Sequence, residues 1–171
     1  MRRIASAVVG GCLACGAHST TDAAAQQHQW RTIDGTSRVD GTRQVVLFLQ
    51  AGNELSTDAG KQVRPMLFIR CSENVTSLFV DVSPFSVSGK VTVLWRIDGE
   101  KSVSGAWWAA ASNGGVGPWN GGQAIRFIKS LVDRKTLQFR FTRQEGHPIE
   151  AAFNVAELQA SIGPLRSACG W

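Results

Sequence analysis

The sequence predicts a mainly β protein, an antiparallel β-sandwich or a partly open barrel with two short α-helices. Short runs rich in β-branched and aromatic residues alternate apolar with polar positions, and turn-forming Gly and Asn residues separate them. Hydrophobic residues make up 43% of the 171 positions and charged residues 18%, so the chain can bury a core and lacks the composition of a disordered protein. Length and composition together indicate a single domain.

The strand candidates are short and follow one another closely. Turn signals such as Ser88-Gly89-Lys90 and Asp98-Gly99-Glu100 separate them, because Gly and Asn tolerate the positive φ that tight turns require. Closely spaced strands of this kind favour antiparallel pairing in a sandwich or barrel. The candidate strands are residues 43–50, 66–70, 77–82, 91–98, 137–142 and 149–153.

Two segments have a helical period instead. Between Gly122 and Val132, one apolar stripe predicts an amphipathic helix, and its members are Ala124, Ile128, Leu131 and Val132. The Gly-rich stretch before it, residues 113–122, is expected to be a long loop that contains Trp119.

A second, shorter helix is expected near the C-terminus. Asn154 is followed three positions later by Glu157, a pattern that resembles a capping box, and Leu158 and Ile162 repeat at a spacing of four. The dipeptide Gly163-Pro164 is expected to end this helix.

The first 25 residues have the pattern of a secretory signal peptide. Arg2 and Arg3 make the start of the chain basic, residues 4–17 are mostly small and apolar, and Ala23 to Ala25 end the segment with the small residues that a signal peptidase recognises. The apolar stretch is too short for a membrane span, which requires about 20 residues. We therefore expect cleavage after Ala25, export, and no transmembrane segment. A lipoprotein acylated at Cys12 or Cys15 is the alternative.

Cleavage after Ala25 changes the cysteine count. Cys12 and Cys15 would leave with the signal peptide, and only Cys71 and Cys169 would remain. Two cysteines in an exported chain predict one disulfide, whereas two buried free thiols or a metal pair are the alternatives. No other Cys or His stands at ligand spacing, so a metal site is the least favoured of the three.

The charge balance is mildly basic. The chain has a formal net charge of +5, and loss of residues 1–25 would leave +4. No run of Lys and Arg resembles one that follows nucleic-acid phosphates, so we do not expect nucleic-acid binding. A modest positive charge is compatible with weak association with anionic envelope polymers.

The sequence contains no recognisable catalytic motif. It has no nucleophile elbow, zinc-protease helix, phosphate-binding loop or dinucleotide fingerprint. His147 and Glu150 could be a fragment of an acid/base site, but a solvated turn histidine explains His147 equally simply. Asp81 and Asp98 offer only a weak carboxylate pair. We therefore expect a protein that is not an enzyme and that holds no metal or cofactor.

Several residues are candidates for binding. Trp107 and Trp108 are adjacent, so in a strand they point to opposite faces and one of them should be exposed. Arg96 and Asp98 fall on the polar face of one predicted strand, and Arg140 falls on that of another. If these strands are neighbours, the side chains form a charged stripe, although a solvated surface would have the same pattern. The candidate binding residues are Arg96, Asp98, Trp108 and Arg140.

Several motifs, taken in order along the chain, resemble those of the VasI (TagO) family. The most specific are Arg70-Cys71-Ser-Glu-Asn74-Val-Thr76, Arg96-Ile97-Asp98 and the C-terminal Ala168-Cys169-Gly-Trp171. The resemblance covers roughly residues 66–171 and is weak over residues 26–65. This chain departs from the family where Trp95 replaces a frequent Tyr and where Arg143-Gln144 replaces a frequent Pro-Tyr.

The resemblance implies an exported protein associated with bacterial type VI secretion, and it implies that Cys71 pairs with Cys169. We expect residues 1–25 to be a signal peptide, residues 26–65 to contain the first strands, and residues 66–171 to form the VasI-like region. The expected function is that of a periplasmic accessory protein that binds envelope or secretion components, with peptidoglycan as one candidate. The alternative is a cell-wall hydrolase or a module that binds a glycan or peptide.

Overall fold

The computed structural model describes residues 29–143 and 146–171. The predicted signal peptide, with Cys12 and Cys15, lies outside the described residues. Within the described ranges, no helix is long and apolar enough to cross a membrane.

The described residues form one nine-stranded antiparallel sheet and a separate two-stranded hairpin, β3–β4. The order of strands in the large sheet is β1-β2-β5-β6-β9-β8-β7-β10-β11, and the sheet does not close into a barrel. The strands are β1 (Arg31–Thr36), β2 (Arg43–Gln50), β3 (Leu55–Ser56), β4 (Gln62–Val63), β5 (Met66–Ser72), β6 (Val75–Asp81), β7 (Lys90–Ile97), β8 (Val103–Ala109), β9 (Gly115–Gly117), β10 (Thr136–Thr142) and β11 (Pro148–Asn154).

The mainly β, antiparallel fold is confirmed, and each of the six predicted strands is present. Strands β1, β3, β4, β8 and β9 have no counterpart among these six. The expectation of an uninterrupted loop over residues 113–122 is wrong because this stretch contains β9. This strand has only three residues, two of them glycines, so it carries little strand propensity. Gly117 is required there, since a Cβ atom would collide with the carbonyl oxygen of Leu78 and with Phe79.

One face of the sheet forms the core. Alternate residues of β2 point to this face and are buried. The residues of β5, β10 and β11 that point to the same face are buried too. Helices cover the face: α1 packs against β6, and α3 packs against β2 and β5. The described helices are α1 (Gly121–Leu131), α2 (Leu158–Ser161) and α3 (Gly163–Cys169).

Helix α1 confirms the predicted amphipathic helix. Its buried residues are Ala124, Ile128 and Leu131, which are members of the predicted stripe. The side chain of Asn120 caps the helix, because its Oδ1 accepts a hydrogen bond of 2.9 Å from the backbone N–H of Gln123.

The prediction for the C-terminal helix is wrong in its details. No capping box forms: Asn154 is the last residue of β11, and Glu157 has a left-handed backbone and no side-chain cap. Helix α2 is a single turn, and Gly163-Pro164 opens a further helix, α3, instead of only ending the first. Pro suits the first turn of a helix, where its missing N–H has no intrahelical partner.

A covalent link and a hydrogen bond attach the C-terminus to the β5–β6 hairpin. Cys71 and Cys169 form a disulfide with a Cα–Cα distance of 5.8 Å, so the predicted bond is present and neither thiol is free. Trp171 donates a hydrogen bond of 2.8 Å from its indole Nε1 to the hydroxyl of Thr76, which lies directly opposite Cys71 in the hairpin. We call these two contacts the C-terminal clamp.

The clamp gives a role to residues of the first and last of the three most specific motifs. Strands β5 and β6 are joined by a two-residue turn, Glu73-Asn74, in which both residues have positive φ. This tight turn places Cys71 and Thr76 side by side, and each then holds one residue of the C-terminal motif. The guanidinium of Arg166 lies over the Trp171 ring at 5.1 Å and helps to hold the ring in place.

Candidate functional site

The sequence-predicted binding residues lie mainly on the outward surface of β7, β8, β10 and β11. Strand β10 pairs with β7 so that Gln138 lies opposite Arg96, and it pairs with β11 so that Arg140 lies opposite Glu150. Because directly opposite residues share a face of a sheet, the outward polar residues of β7, β10 and β11 form one surface. We call this surface the polar face; its members are Lys90, Thr92, Arg96, Trp108, Gln138, Arg140 and Glu150.

The predicted charged stripe is therefore present. Arg96 donates a hydrogen bond of 2.7 Å from Nε to the side-chain oxygen of Gln138. The Nε of Arg140 lies 3.3 Å from a carboxylate oxygen of Glu150, in an ion pair whose two side chains are both more than half exposed. Such an exposed pair contributes at most about 1 kcal/mol to stability, so little free energy is lost when the arginine turns to another partner.

A shallow groove of about 490 Å³ runs along the polar face. Arg96 and Arg140 line it together with Asn53, Leu94 and Glu150. A second groove of about 380 Å³ adjoins it and shares Leu94 and Arg140. Both grooves are open to solvent, and this shape suits contact with an extended ligand or a surface better than enclosure of a small molecule.

Trp108 lies beside the second groove. Trp108 is 57% exposed, whereas Trp107 is only 6% exposed. The prediction that one of the pair is exposed is therefore confirmed. The ammonium of Lys90, directly opposite Trp108 in the β7–β8 pair, lies 6.0 Å from the Trp108 ring centroid. The backbone carbonyl of Trp108 accepts a hydrogen bond of 2.8 Å from Trp119, which holds this part of the sheet in place.

Asp98 does not join the other candidates in the grooves. It lies in the turn after β7 with a left-handed φ of 48°. Its carboxylate accepts hydrogen bonds from the backbone N–H groups of Thr136 at 2.8 Å and Lys135 at 2.9 Å, where β10 begins. These hydrogen bonds, that of Thr136 above all, lower the pKa of Asp98 below its ordinary value. The carboxylate thus fixes the start of β10.

His147 and Glu150, the candidate fragment of an acid/base site, lie on either side of the start of β11. His147 is exposed in the turn before β11. Among the residues that the structure describes, no group of three or more His, Cys, Asp or Glu side chains could hold a metal ion.

An outward aromatic surface was not predicted. Phe48, Phe68 and Phe79 are directly opposite one another on β2, β5 and β6, and their ring centroids are 5.9 and 5.0 Å apart. Trp119 continues the series at 4.9 Å from Phe79. We call Phe48, Phe68, Phe79 and Trp119 the aromatic row. Each ring is half-buried, so the row both covers the sheet and leaves an apolar strip at the surface.

Comparisons with known proteins identify the family. Residues 11–171 match the family model VasI, described as "Type VI secretion system VasI, EvfG, VC_A0118". No curated protein matches the sequence. Among solved structures, invasion associated protein B from Bartonella henselae is similar, with a TM-score of 0.54 and 13% identity over 83% of this chain and 94% of that chain. This likeness shows a shared fold alone. The family match spans almost the whole sequence, including residues 26–65, and the chain belongs to the VasI family of type VI secretion proteins.

Proposed function

We propose that this VasI family member is an exported accessory protein of type VI secretion, and that it acts without catalysis by binding an anionic envelope component through its polar face. The observation that carries the proposal is the charge of the two grooves. The described residues that line them include three cations, Lys90, Arg96 and Arg140, but only one carboxylate, Glu150. Cations concentrated on one face attract an anionic surface more strongly than the overall net charge would suggest.

Peptidoglycan is the envelope component that fits this face best. It is an extended polymer with sugar rings and free peptide carboxylates, and it would lie along an open groove. Arg96 and Arg140 would pair with carboxylates, because a guanidinium donates two parallel hydrogen bonds to such a group. The exposed ring of Trp108 offers an apolar surface against which a sugar ring can stack.

The location of this activity follows from the first 25 residues. Their pattern supports export to the periplasm, where peptidoglycan lies. The role in type VI secretion would then be to position the protein, or a component bound to it, at the cell wall.

A cell-wall hydrolase is the competing function. Glycoside hydrolysis generally uses two carboxyl groups that flank the bond to be cut. Glu150 is the one carboxylate among the described residues that line the grooves, and its ion pair with Arg140 favours a positioning role for both side chains.

Cosedimentation with purified peptidoglycan tests the proposal. The double variant Arg96→Glu, Arg140→Glu should bind about tenfold less than the parent protein, because two attractive contacts become repulsive. The double variant Lys61→Glu, Arg126→Glu is the matched control, since it reverses two exposed cations outside the grooves. Equal binding by the parent and both variants would contradict a role for the polar face.

The same incubation distinguishes binding from hydrolysis. We expect no soluble sugar or peptide fragments to be released by the parent protein. Release that disappears in Glu150→Gln, while the variant still sediments with peptidoglycan, would establish the hydrolase instead.

A further inference from the structure

The two edges of the large sheet differ in how their backbone groups are used. At the β11 edge, the N–H of Gly52 donates a hydrogen bond of 2.8 Å to the carbonyl of Ala152. The side chain of Asn53 accepts a hydrogen bond of 2.8 Å from the N–H of Ala152 and donates one of 2.9 Å to the carbonyl of Glu150. The loop after β2 therefore covers the middle of this edge as a neighbouring strand would.

The β1 edge has no such cover within the described part of the chain. Strand β1 pairs with β2 on one side, and all six of its residues are exposed. In an antiparallel edge strand, alternate residues direct both their N–H and C=O groups away from the sheet. Such an edge can accept another extended chain through main-chain hydrogen bonds.

A small hollow of about 160 Å³ adjoins the beginning of β1 on the outward surface of the sheet. Phe48 and Met66 supply its apolar lining, while Gln29, Arg31 and Gln50 supply polar groups. Phe48 is also the last ring of the aromatic row on this side, directly opposite Arg31. The hollow thus offers room for one apolar side chain of a chain that lies along β1.

Arg31 supplies charge selectivity at this edge. Its side chain is exposed, and no carboxylate of the described residues lies within ion-pair distance of it. Asp34, the acidic residue of the same strand, is engaged by Arg43 through two contacts of 3.0 and 2.6 Å. The unpaired charge along β1 is therefore positive, which favours an acidic side chain on the incoming chain.

We propose that β1 binds an extended segment of a partner protein by strand addition. The segment places an apolar side chain in the hollow beside Phe48 and an acidic side chain beside Arg31. These two residues of the segment are two positions apart, because alternate residues of a strand share a face. Ile33, which is 60% exposed, contacts a further apolar residue on the same face. This surface is distinct from the polar face, so the proposal does not depend on peptidoglycan binding.

The probe is an array of eight-residue peptides that alternate Thr with Val, Leu or Phe and carry one Asp at varied positions. We expect a subset to bind and to slow amide hydrogen exchange in residues 31–36 but not in 148–154. Peptides N-methylated at alternate residues are the first control. They lack the backbone N–H donors along one edge of the peptide strand, so they should bind more weakly.

Charge exchange is the second test. Arg31→Glu should weaken binding of the Asp peptides about five- to tenfold and strengthen binding of the same peptides with Lys, whereas the control Arg126→Glu should change neither.

Three results would overturn the proposal. The first is that no peptide of the array binds. The second is that the N-methylated peptides bind as tightly as the unmodified ones. The third is that the parent protein forms a dimer through β1, because a second copy would then occupy this edge. Hydrogen exchange of the unliganded protein at two concentrations identifies such a dimer.

Discussion

The polar face and the aromatic row are both outward surfaces of the same sheet, yet their side chains serve the molecule differently. In the aromatic row, each half-buried ring lies about 5 to 6 Å from the next, so the rings stabilise the sheet by packing on one another. On the polar face, Arg96 and Arg140 each make one exposed contact, to Gln138 and Glu150. Exposed side chains that add little to stability can exchange their partners at little cost, and this difference is the basis of the binding role that we propose for the polar face.

The largest effect should come from the clamp behind the aromatic half of the sheet. Replacing both Cys71 and Cys169 with Ser removes a link between residues 98 positions apart. In the chain-entropy model, this should lower the free energy of unfolding by about 4 to 5 kcal/mol. Chemical denaturation of the parent and variant measures the difference. A loss below about 1 kcal/mol would show that the disulfide of the clamp does not stabilise this half.

Removing one ring of the aromatic row should have a smaller effect. Phe68 lies between Phe48 and Phe79, so Phe68→Ala loses contacts on both sides and should cost about 2 kcal/mol in unfolding free energy. A double-mutant cycle with Phe79→Ala should show a coupling of about 0.5 to 1.5 kcal/mol. Strictly additive effects would mean that the rings cover the sheet independently and that the row is not a unit.

Asp98 should show an effect that depends on pH. Its folded pKa is lowered, chiefly by the N–H of Thr136, so its stabilisation is present above the unfolded pKa of about 4 and is lost as pH falls through the folded value. Asp98→Ala should therefore melt at a lower temperature than the parent at pH 7, and the difference should shrink as the pH falls from about 4 through the folded pKa. Thermal unfolding across this range measures it. If the difference in melting temperature is the same at every pH, the effect comes from the left-handed backbone at this position and not from the charge of the carboxylate.

The smallest effect on stability should come from the polar face itself. Arg96→Ala combined with Arg140→Ala should change the free energy of unfolding by less than about 0.5 kcal/mol, because both side chains are exposed and singly paired. Denaturation of the variant provides the measurement. A loss of 2 kcal/mol or more would show that these arginines also stabilise the fold, and it would contradict the distinction between the two surfaces.

Local pattern predicted much of this fold. The run at 43–50 corresponds to β2 with the same bounds, since its β-branched, aliphatic and aromatic residues follow one another without a turn-forming residue. Arg96 and Arg140 were correctly placed on one surface because only strand pairing was needed to join them. Asp98 was placed on the strand because it continues the alternation of β7, but the positive φ at Asp98 and Gly99 turns the chain after Ile97.

The aromatic row could not be predicted because it depends on register. Phe48, Phe68 and Phe79 come together only in one alignment of β2, β5 and β6, and a shift by one residue would send a ring to the other face. One signal was available: the run Val45 to Leu49 is apolar at every position, which indicates a strand covered on both faces.

We propose that the polar face carries the contribution of this protein to type VI secretion. The most direct test of this claim is substrate release through the type VI system in a strain that lacks the gene and is complemented with each variant. With equal cellular levels of the protein, Arg96→Glu, Arg140→Glu should fail to restore secretion, whereas Lys61→Glu, Arg126→Glu should restore it fully. Full secretion with the polar-face variant would contradict the claim.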